Sequence, residues 1–223
     1  MNRTFGASDF LYLLLAVRWT LALSAVAFVG GTVVGLLIAL CRSAPSRIAR
    51  LFAAGYIQIF QGTPVLMQLF LFYYGLPVLL DLHVDAWAAV ALAFTLYSGA
   101  FLGEIWRGSI EAIPRTQWEA SACLALSPLQ QIRFVILPQA FRISIPPTVG
   151  FLVQLIKGTS IAAIIGYVDL TRAGQLIVNA TFEPMTVYPL VALIYFALCW
   201  PLSRLSQFLE RRIDADLGVK QRL

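Results

Sequence analysis

The sequence predicts an all-α integral membrane bundle of about five transmembrane helices, with a pair of short helices projecting on one side. Three observations predict it. Of the 223 residues, 60% are hydrophobic and 12% charged, about half the charged fraction of a soluble domain. Apolar runs of membrane-spanning length recur along the whole chain. The Lys and Arg residues fall between alternate runs, as topology signals do.

Taken in order, Trp19–Leu40 reads as the first span, preceded by a short interfacial stretch from Phe10 to Val17. Arg18 interrupts the run, which then continues past Ala27, so this is a span and not a cleaved signal. Gly31 and Gly35 form a GxxxG on it, a helix-packing signal. Phe52–Leu80 is the second span, long enough to tilt or break. Trp87–Trp106 is the third, Thr148–Tyr167 the fourth and Val187–Phe208 the fifth. The whole of 1–223 is expected to form a single transmembrane domain, with no internal repeat or soluble domain.

Charge sets the orientation. Of 16 Lys and Arg, twelve share one side of a five-span chain: Arg42, Arg47, Arg50, Arg107, Arg115, Arg133, Arg142, Arg204, Arg211, Arg212, Lys220 and Arg222. Arg3, Arg18, Arg172 and the intramembrane Lys157 remain. Positive charge marks the cytoplasm, which predicts an outside N-terminus and a cytoplasmic C-terminus. The net charge of +5 is dispersed, so nucleic acid is not the expected partner. Cys41, Cys123 and Cys199 lack CxxC spacing and read as buried thiols.

Residues 115–138 depart from the membrane pattern. Thr116-Gln-Trp-Glu119 and Ser127-Pro-Leu-Gln130 are capping-box patterns, the second with Pro128 at the favoured first helical position. They predict two helices, Gln117–Leu126 and Pro128–Leu137, the second stopping at Pro138. Neither is long enough to cross a bilayer. The pattern alone fits helices projecting into the cytoplasm as well as a hairpin lying on the membrane surface.

The stretch resembles the EAA loop by which membrane subunits of bacterial ABC importers dock their ATPases. Here it is spelled Glu119-Ala120-Ser121, then Leu124-Ala125-Leu126, then Ile136-Leu137-Pro138. Leu137-Pro-Gln-Ala140 is similar to the polar amino-acid subclass, the histidine- and glutamine-type permeases. Gln61-Gly62-Thr63-Pro64 stands where that family has Arg-Gly-Thr-Pro. Glu104-Ile-Trp-Arg107-Gly108 resembles its Glu-Ile-x-Arg-Gly, and Lys157-Gly-Thr-Ser160 its Lys-Asp-Thr-Ser. The sequence departs from the family at Gln61, Gly158, Ser121 (the second Ala) and Ala125 (the Gly of the turn).

The resemblance implies a membrane-spanning permease subunit of the bacterial inner membrane, with no cofactor of its own. It implies ATPase docking at Glu119, Ala120, Ser121, Leu124, Ala125 and Leu126. Implied partners are cytoplasmic ATP-binding subunits, a periplasmic or lipid-anchored substrate-binding protein and a second permease chain, identical or related, all in membrane lipid. The two lysines, Lys157 and Lys220, follow no phosphate loop, so ATP hydrolysis is expected in another subunit and this chain is not expected to be an enzyme.

Lys157 lies near the middle of the fourth span, where a cation costs roughly 2.5–3.5 kcal/mol and needs a partner or a cavity. Gly158-Thr159-Ser160 weakens the helix beside it. A substrate carboxylate would suit this cation; an ion pair with Glu104 or Asp169 is the alternative. Gln61, Gly62, Thr63 and Pro64 interrupt the second span at similar depth, either as substrate contacts or as a proline kink satisfied by neighbouring helices. The expected substrate-binding set is Lys157, Thr159, Ser160, Gln61 and Thr63. Glu104 and Arg107 are expected to pair at i,i+3 and fix the loop. Asp81-Leu-His83-Val-Asp85 reads as a solvated loop and no metal is expected. A self-sufficient channel or secondary carrier for small anionic or zwitterionic solutes is the competing reading. A membrane enzyme lacks paired carboxylates, a nucleophile–His set and a metal cluster.

Overall fold

A computed structural model describes residues 3–43, 46–81 and 83–216. Lys220 and Arg222, counted above among the topology charges, lie outside the described residues. The described elements are α1 (Ala7–Ser43), α2 (Arg47–Gly62), α3 (Val65–Leu80), α4 (Ala86–Glu111), α5 (Arg115–Cys123), α6 (Pro128–Ile165), α7 (Leu170–Thr181) and α8 (Pro184–Asp216). Among them α1, α4, α6 and α8 are each long and apolar enough to cross a membrane, and α2 with α3 makes a fifth, bent span.

The bundle is organised on the crossing of α1 with α4, its most extensive helix–helix contact. Gly31 and Gly35 of α1 meet a second GxxxG, Gly99 and Gly103 of α4. A Cβ built on Gly31 would stand 2.4 Å from Ser98 Cβ, and one on Gly99 would stand 2.5 Å from Val34 Cγ1. At Gly35 the nearest atoms are the backbone of Gly103 and Gly99, at 3.0 and 3.1 Å. Trp19 meets Trp87 further toward both N-termini, so the two helices run parallel. Without side chains between them the backbones come close enough for extensive dispersion contact, which replaces the hydrophobic effect as the driving force in lipid.

The core grows outward from this crossing. Leu23 and Ala27 of α1, Leu69 of α3, Phe94 and Leu102 of α4, and Phe151 and Leu155 of α6 are buried together. Phe101 stacks on Phe151 at a centroid distance of 5.4 Å, tying α4 to α6. A second cluster joins the first turns of α1 (Leu13, Ala16) to α7 and α8. Phe10–Val17 is therefore helix, continuous with the span, and not a separate interfacial stretch. The 37 residues of α1 run about 55 Å, and the excess beyond the hydrocarbon carries this cluster. Asp169 clasps the same end: fully buried, it accepts from Arg172 N at 2.8 Å and from the Tyr195 hydroxyl at 3.1 Å. Burial pushes its carboxyl above the usual range, against these hydrogen bonds.

Proline placement explains the irregular helices. Leu71–Gly75 and Gln131–Ile136 are π turns. In each, the residue just before a proline donates five residues back, Leu76 N to Leu71 O and Leu137 N to Ile132 O. Pro77 and Pro138 lack an N–H, and their rings would strike the carbonyl four residues earlier. Widening the preceding turn by one residue moves that carbonyl aside. Pro138 thus does not stop the helix. The expected break there is absent, and α6 continues through Pro146 and Pro147 to Ile165, so the helix that carries the fourth span begins far before Thr148.

Two further expectations are corrected. α5 starts at Arg115 on Pro114, whose carbonyl accepts from Gln117 N at 3.0 Å. That places Thr116 inside the first turn, where it makes no capping box. Cys123 is exposed, Cys41 half-buried, and only Cys199 of the three is buried.

Gly31→Ala and Gly99→Ala should each destabilise the folded chain by about 1–3 kcal/mol, because the new methyl meets a Cβ or a β-branched side chain that cannot swing away. Gly158→Ala serves as the control, since its Cβ would rest 3.6 Å from Phe94, an ordinary contact. Thermal unfolding in detergent, scored by size-exclusion, should separate the first pair from the third.

Candidate functional site

Two regions carry polar chemistry or unpartnered surface: the α5–α6 turn and the middle of the membrane.

At the turn, α5 ends in a Schellman motif. Ala125 sits at φ +57°, Ala125 N donates to Ala122 O at 2.9 Å, and Leu126 N to Ser121 O at 3.4 Å. The next residues form a capping box: Ser127 N donates to Gln130 Oε1 at 2.8 Å while Ser127 Oγ accepts from Gln130 N. Gln131 Nε2 donates to Leu126 O at 2.9 Å. The N–H groups of Leu124 through Ser127 are thereby satisfied, and the base of the turn is fixed by packing of Ile113, Ile136 and Ala140 with Trp118 against them. The tip is apolar and uncovered: Leu124 and Leu129 are each 75% exposed and Phe134 63%.

Of the expected docking residues, Glu119, Ala120, Leu124 and Ala125 are exposed and Leu126 is half-exposed. Ser121 is buried, its hydroxyl donated to Trp118 O at 2.8 Å. The turn is made at Ala125 itself, in the left-handed region, although the residue is not glycine. Leu129 and Phe134 stand outside the expected docking set, which ended at Leu126.

In the membrane, α2 and α3 meet at a bend of 103°. Thr63 and Pro64 are extended. Gln68 holds the corner. It is 6% exposed and its Nε2 reaches Phe60 O at 2.9 Å, Thr63 O at 3.1 Å and Thr63 Oγ1 at 2.9 Å. Among the described residues, Gln68 Oε1 is buried with no partner. Thr63 Oγ1 donates to Ile59 O, and Gln61 Nε2 to Ala100 O of α4 at 3.2 Å. Sequence reasoning passed over Gln68 because nothing in its spacing shows that a side chain four residues after a proline folds back to cap the preceding helix.

Lys157 is exposed at the end of the α-helical part of α6. The helix does not open at Gly158; it tightens into a 3₁₀ segment, Thr159–Ile165. Both hydroxyls turn back onto it: Thr159 Oγ1 donates to Ile156 O at 2.7 Å and Ser160 Oγ to Lys157 O at 2.7 Å. Thr159 is fully buried. Among the described residues Lys157 pairs with neither expected acid. Glu104 is held by Arg107, which also bridges Glu111, and Asp169 is engaged with Arg172 N and Tyr195 as above. No described hydrogen bond joins Lys157 to Gln61 or Thr63 within the chain.

Residues 31–215 match the family model described as the binding-protein-dependent transport system inner membrane component. The chain belongs to this family. It is 36% identical over 211 residues to a probable amino-acid ABC transporter permease protein of Bacillus subtilis, covering 95% of this chain and 93% of that one. It is 36% identical over 197 residues to the glutamine transport system permease protein of Escherichia coli, covering 88% and 90%. A crystal structure of an amino acid ABC transporter with histidines superposes with a TM-score of 0.88 at 31% identity, over 94% of this chain and all of that one. The inward-facing methionine ABC transporter, 20% identical with a TM-score of 0.75 over 94% of this chain and 99% of that one, shares the fold.

As an inner membrane component of a binding-protein-dependent transport system, the chain is a permease. Its uncovered apolar tip is of the kind that marks a protein contact. The left-handed Ala125 is a local cost in that tip. Ala125→Gly should relieve it and stabilise the turn by about 1 kcal/mol. Hydrogen exchange of the Leu124–Ser127 amides should slow in the variant; unchanged or faster exchange would contradict the strain.

Proposed function

We propose that the chain is the membrane-spanning subunit of an ATP-driven importer of polar amino acids, set in the bacterial inner membrane with its N-terminus outside and its C-terminus in the cytoplasm. All of 1–223 serves as one transmembrane domain, and 115–138 is its coupling loop. ATP-binding subunits dock from the cytoplasm, a periplasmic or lipid-anchored binding protein delivers substrate, and a second permease chain completes the path. One observation carries the reading: a turn held by backbone and capping hydrogen bonds presents Leu124, Leu129 and Phe134 to solvent on a chain that has no phosphate loop of its own. A self-sufficient carrier has no use for such a tip. The names of the curated relatives support amino acids as the cargo class.

Glu119 stands exposed beside the tip. Glu119→Lys reverses charge on a solvated face, so the chain should insert and fold normally. Uptake should fall at least tenfold while the ATPase activity of the assembled complex becomes insensitive to substrate. Full transport with a normally bound ATPase would remove the docking assignment.

The substrate site is placed at Lys157, with Thr159 and Ser160 shaping the helix turn that presents it, and Gln61 and Thr63 lining the broken span. The exposed ammonium supplies the counter-charge for a substrate α-carboxylate in a low-dielectric path. Lys157→Met keeps the length, inserts at least as well, and should lose most uptake. If Lys157 only neutralised an acid, a second substitution at Glu104 or Asp169 would restore transport, and that rescue would exclude the substrate role. Gly158 withholds a carboxylate that the resemblance places next to the lysine, which favours neutral or acidic side chains over cationic ones. Gly158→Asp should shift competition for uptake toward cationic amino acids.

A further inference from the structure

Toward the end of the bundle where α1 begins, three aromatic rings from three separate elements line an open cleft of about 480 Å³. Trp19 of α1 meets Trp87, the second residue of α4, edge to face at 6.5 Å and 67°. Trp87 meets Tyr167 at 5.6 Å and 31°. Val168 completes the lining. The cleft is braced: Tyr167 follows Gly166, which turns the chain at φ +87°, and the Tyr167 hydroxyl donates to Trp19 O at 3.1 Å. Beside it the Arg18 guanidinium lies 5.3 Å from the Trp19 ring centroid.

Aromatic residues at a membrane surface commonly form a belt of separate side chains. Here they converge on a shared space instead. The ring faces of two Trp and a Tyr are electron-rich surfaces suited to an organic ammonium. The neighbouring guanidinium cannot lose its charge and matches a phosphate or carboxylate in two-pronged geometry. Together these recognise the two halves of a zwitterion.

We infer that Trp19, Trp87 and Tyr167, with Arg18, form a binding site for a zwitterion ending in a primary ammonium, at the membrane surface and separate from Lys157. Two sources offer that chemistry: a phospholipid headgroup such as phosphatidylethanolamine, entering from the bilayer, and a free amino acid, entering from water. The site does not depend on which solute the permease carries.

The test uses the full chain labelled with 5-fluorotryptophan and reconstituted in nanodiscs of phosphatidylglycerol, read by fluorine NMR. The Trp19 and Trp87 signals, assigned by Trp→Leu variants, should shift when phosphatidylethanolamine is included or when free glutamine is added. A shift with the lipid alone identifies the headgroup as occupant, and one with glutamine alone identifies the solute. The response of Trp87 should vanish in Trp19→Leu, whose exposed position permits the change without unfolding. It should weaken about tenfold in Arg18→Gln, the loss of one charge-assisted contact. Signals indifferent to both ligands, or a Trp87 response unchanged in Trp19→Leu, would overturn the site.

Discussion

The rest of the architecture depends on the absence of four side chains where α1 crosses α4. In lipid no hydrophobic force draws helices together, so association rests on close packing and on hydrogen bonds. Gly31, Gly35, Gly99 and Gly103 supply the first. Their backbones approach so closely that any Cβ there would meet an atom at 3.2 Å or less. Hydrogen bonds then hang the broken span on this crossing, Tyr56 reaching Leu96 O and Gln61 reaching Ala100 O on α4. The same parallel register brings Trp19 level with Trp87. Both the bend and the aromatic cleft inherit their positions from the glycine contact.

How much of this was legible in sequence follows from which interactions are local. Spans are legible because hydropathy is additive along the chain, and the long apolar helices fall where the apolar runs predicted them. The Ser127 capping box is legible because its partners lie three residues apart. Helix interruption at proline is only half legible. Pro64 does break its span, while Pro138 does not break α6. The difference lies in what replaces the missing donor. At Pro64 the chain becomes extended and a buried Gln68 caps the free carbonyls; at Pro138 one wide π turn absorbs the ring. Neither remedy has a sequence signature, since both depend on the space that neighbouring helices leave.

The candidate sites show the same limit. Lys157 was legible as an anomaly because a cation in an apolar run is rare. That Thr159 and Ser160 bond back onto their own helix was not, although hydroxyls in membrane helices often do so. Ser121 lies in a motif legible by resemblance, yet it serves inside the turn while its neighbours Glu119 and Ala120 face out. The direction of each side chain is fixed by where α5 starts, and Pro114 moves that start two residues ahead of the position the Thr116 pattern suggested. Leu129 and Phe134 were left out of the expected docking set for a related reason. An apolar residue in a membrane protein looks ordinary until the fold carries it away from the lipid.

The continuity of α6 gives the proline correction a mechanical consequence. A helix ending at Pro138 would have left a hinge between the exposed tip and the membrane. Instead one helix runs from Pro128 to Ile165, so Leu129 and Lys157 are separated by roughly 40 Å of unbroken rise. Helices resist bending far more than loops do, and the π turn lies near the tip, before the packed part begins at Ile136. On the proposed reading, a displacement at Leu129 or Phe134 would travel along this axis toward Lys157, past Pro146 and Pro147, which each remove a hydrogen bond in its middle. Rigidity alone does not make a coupling, which also requires two arrangements that each site prefers differently. The 103° corner between α2 and α3 suits the second arrangement: it is fixed by a few side-chain hydrogen bonds from Gln68, Thr63 and Gln61, and not by a continuous helix. On the proposed reading, α6 is the continuous element that links tip to membrane and the corner is the element that yields.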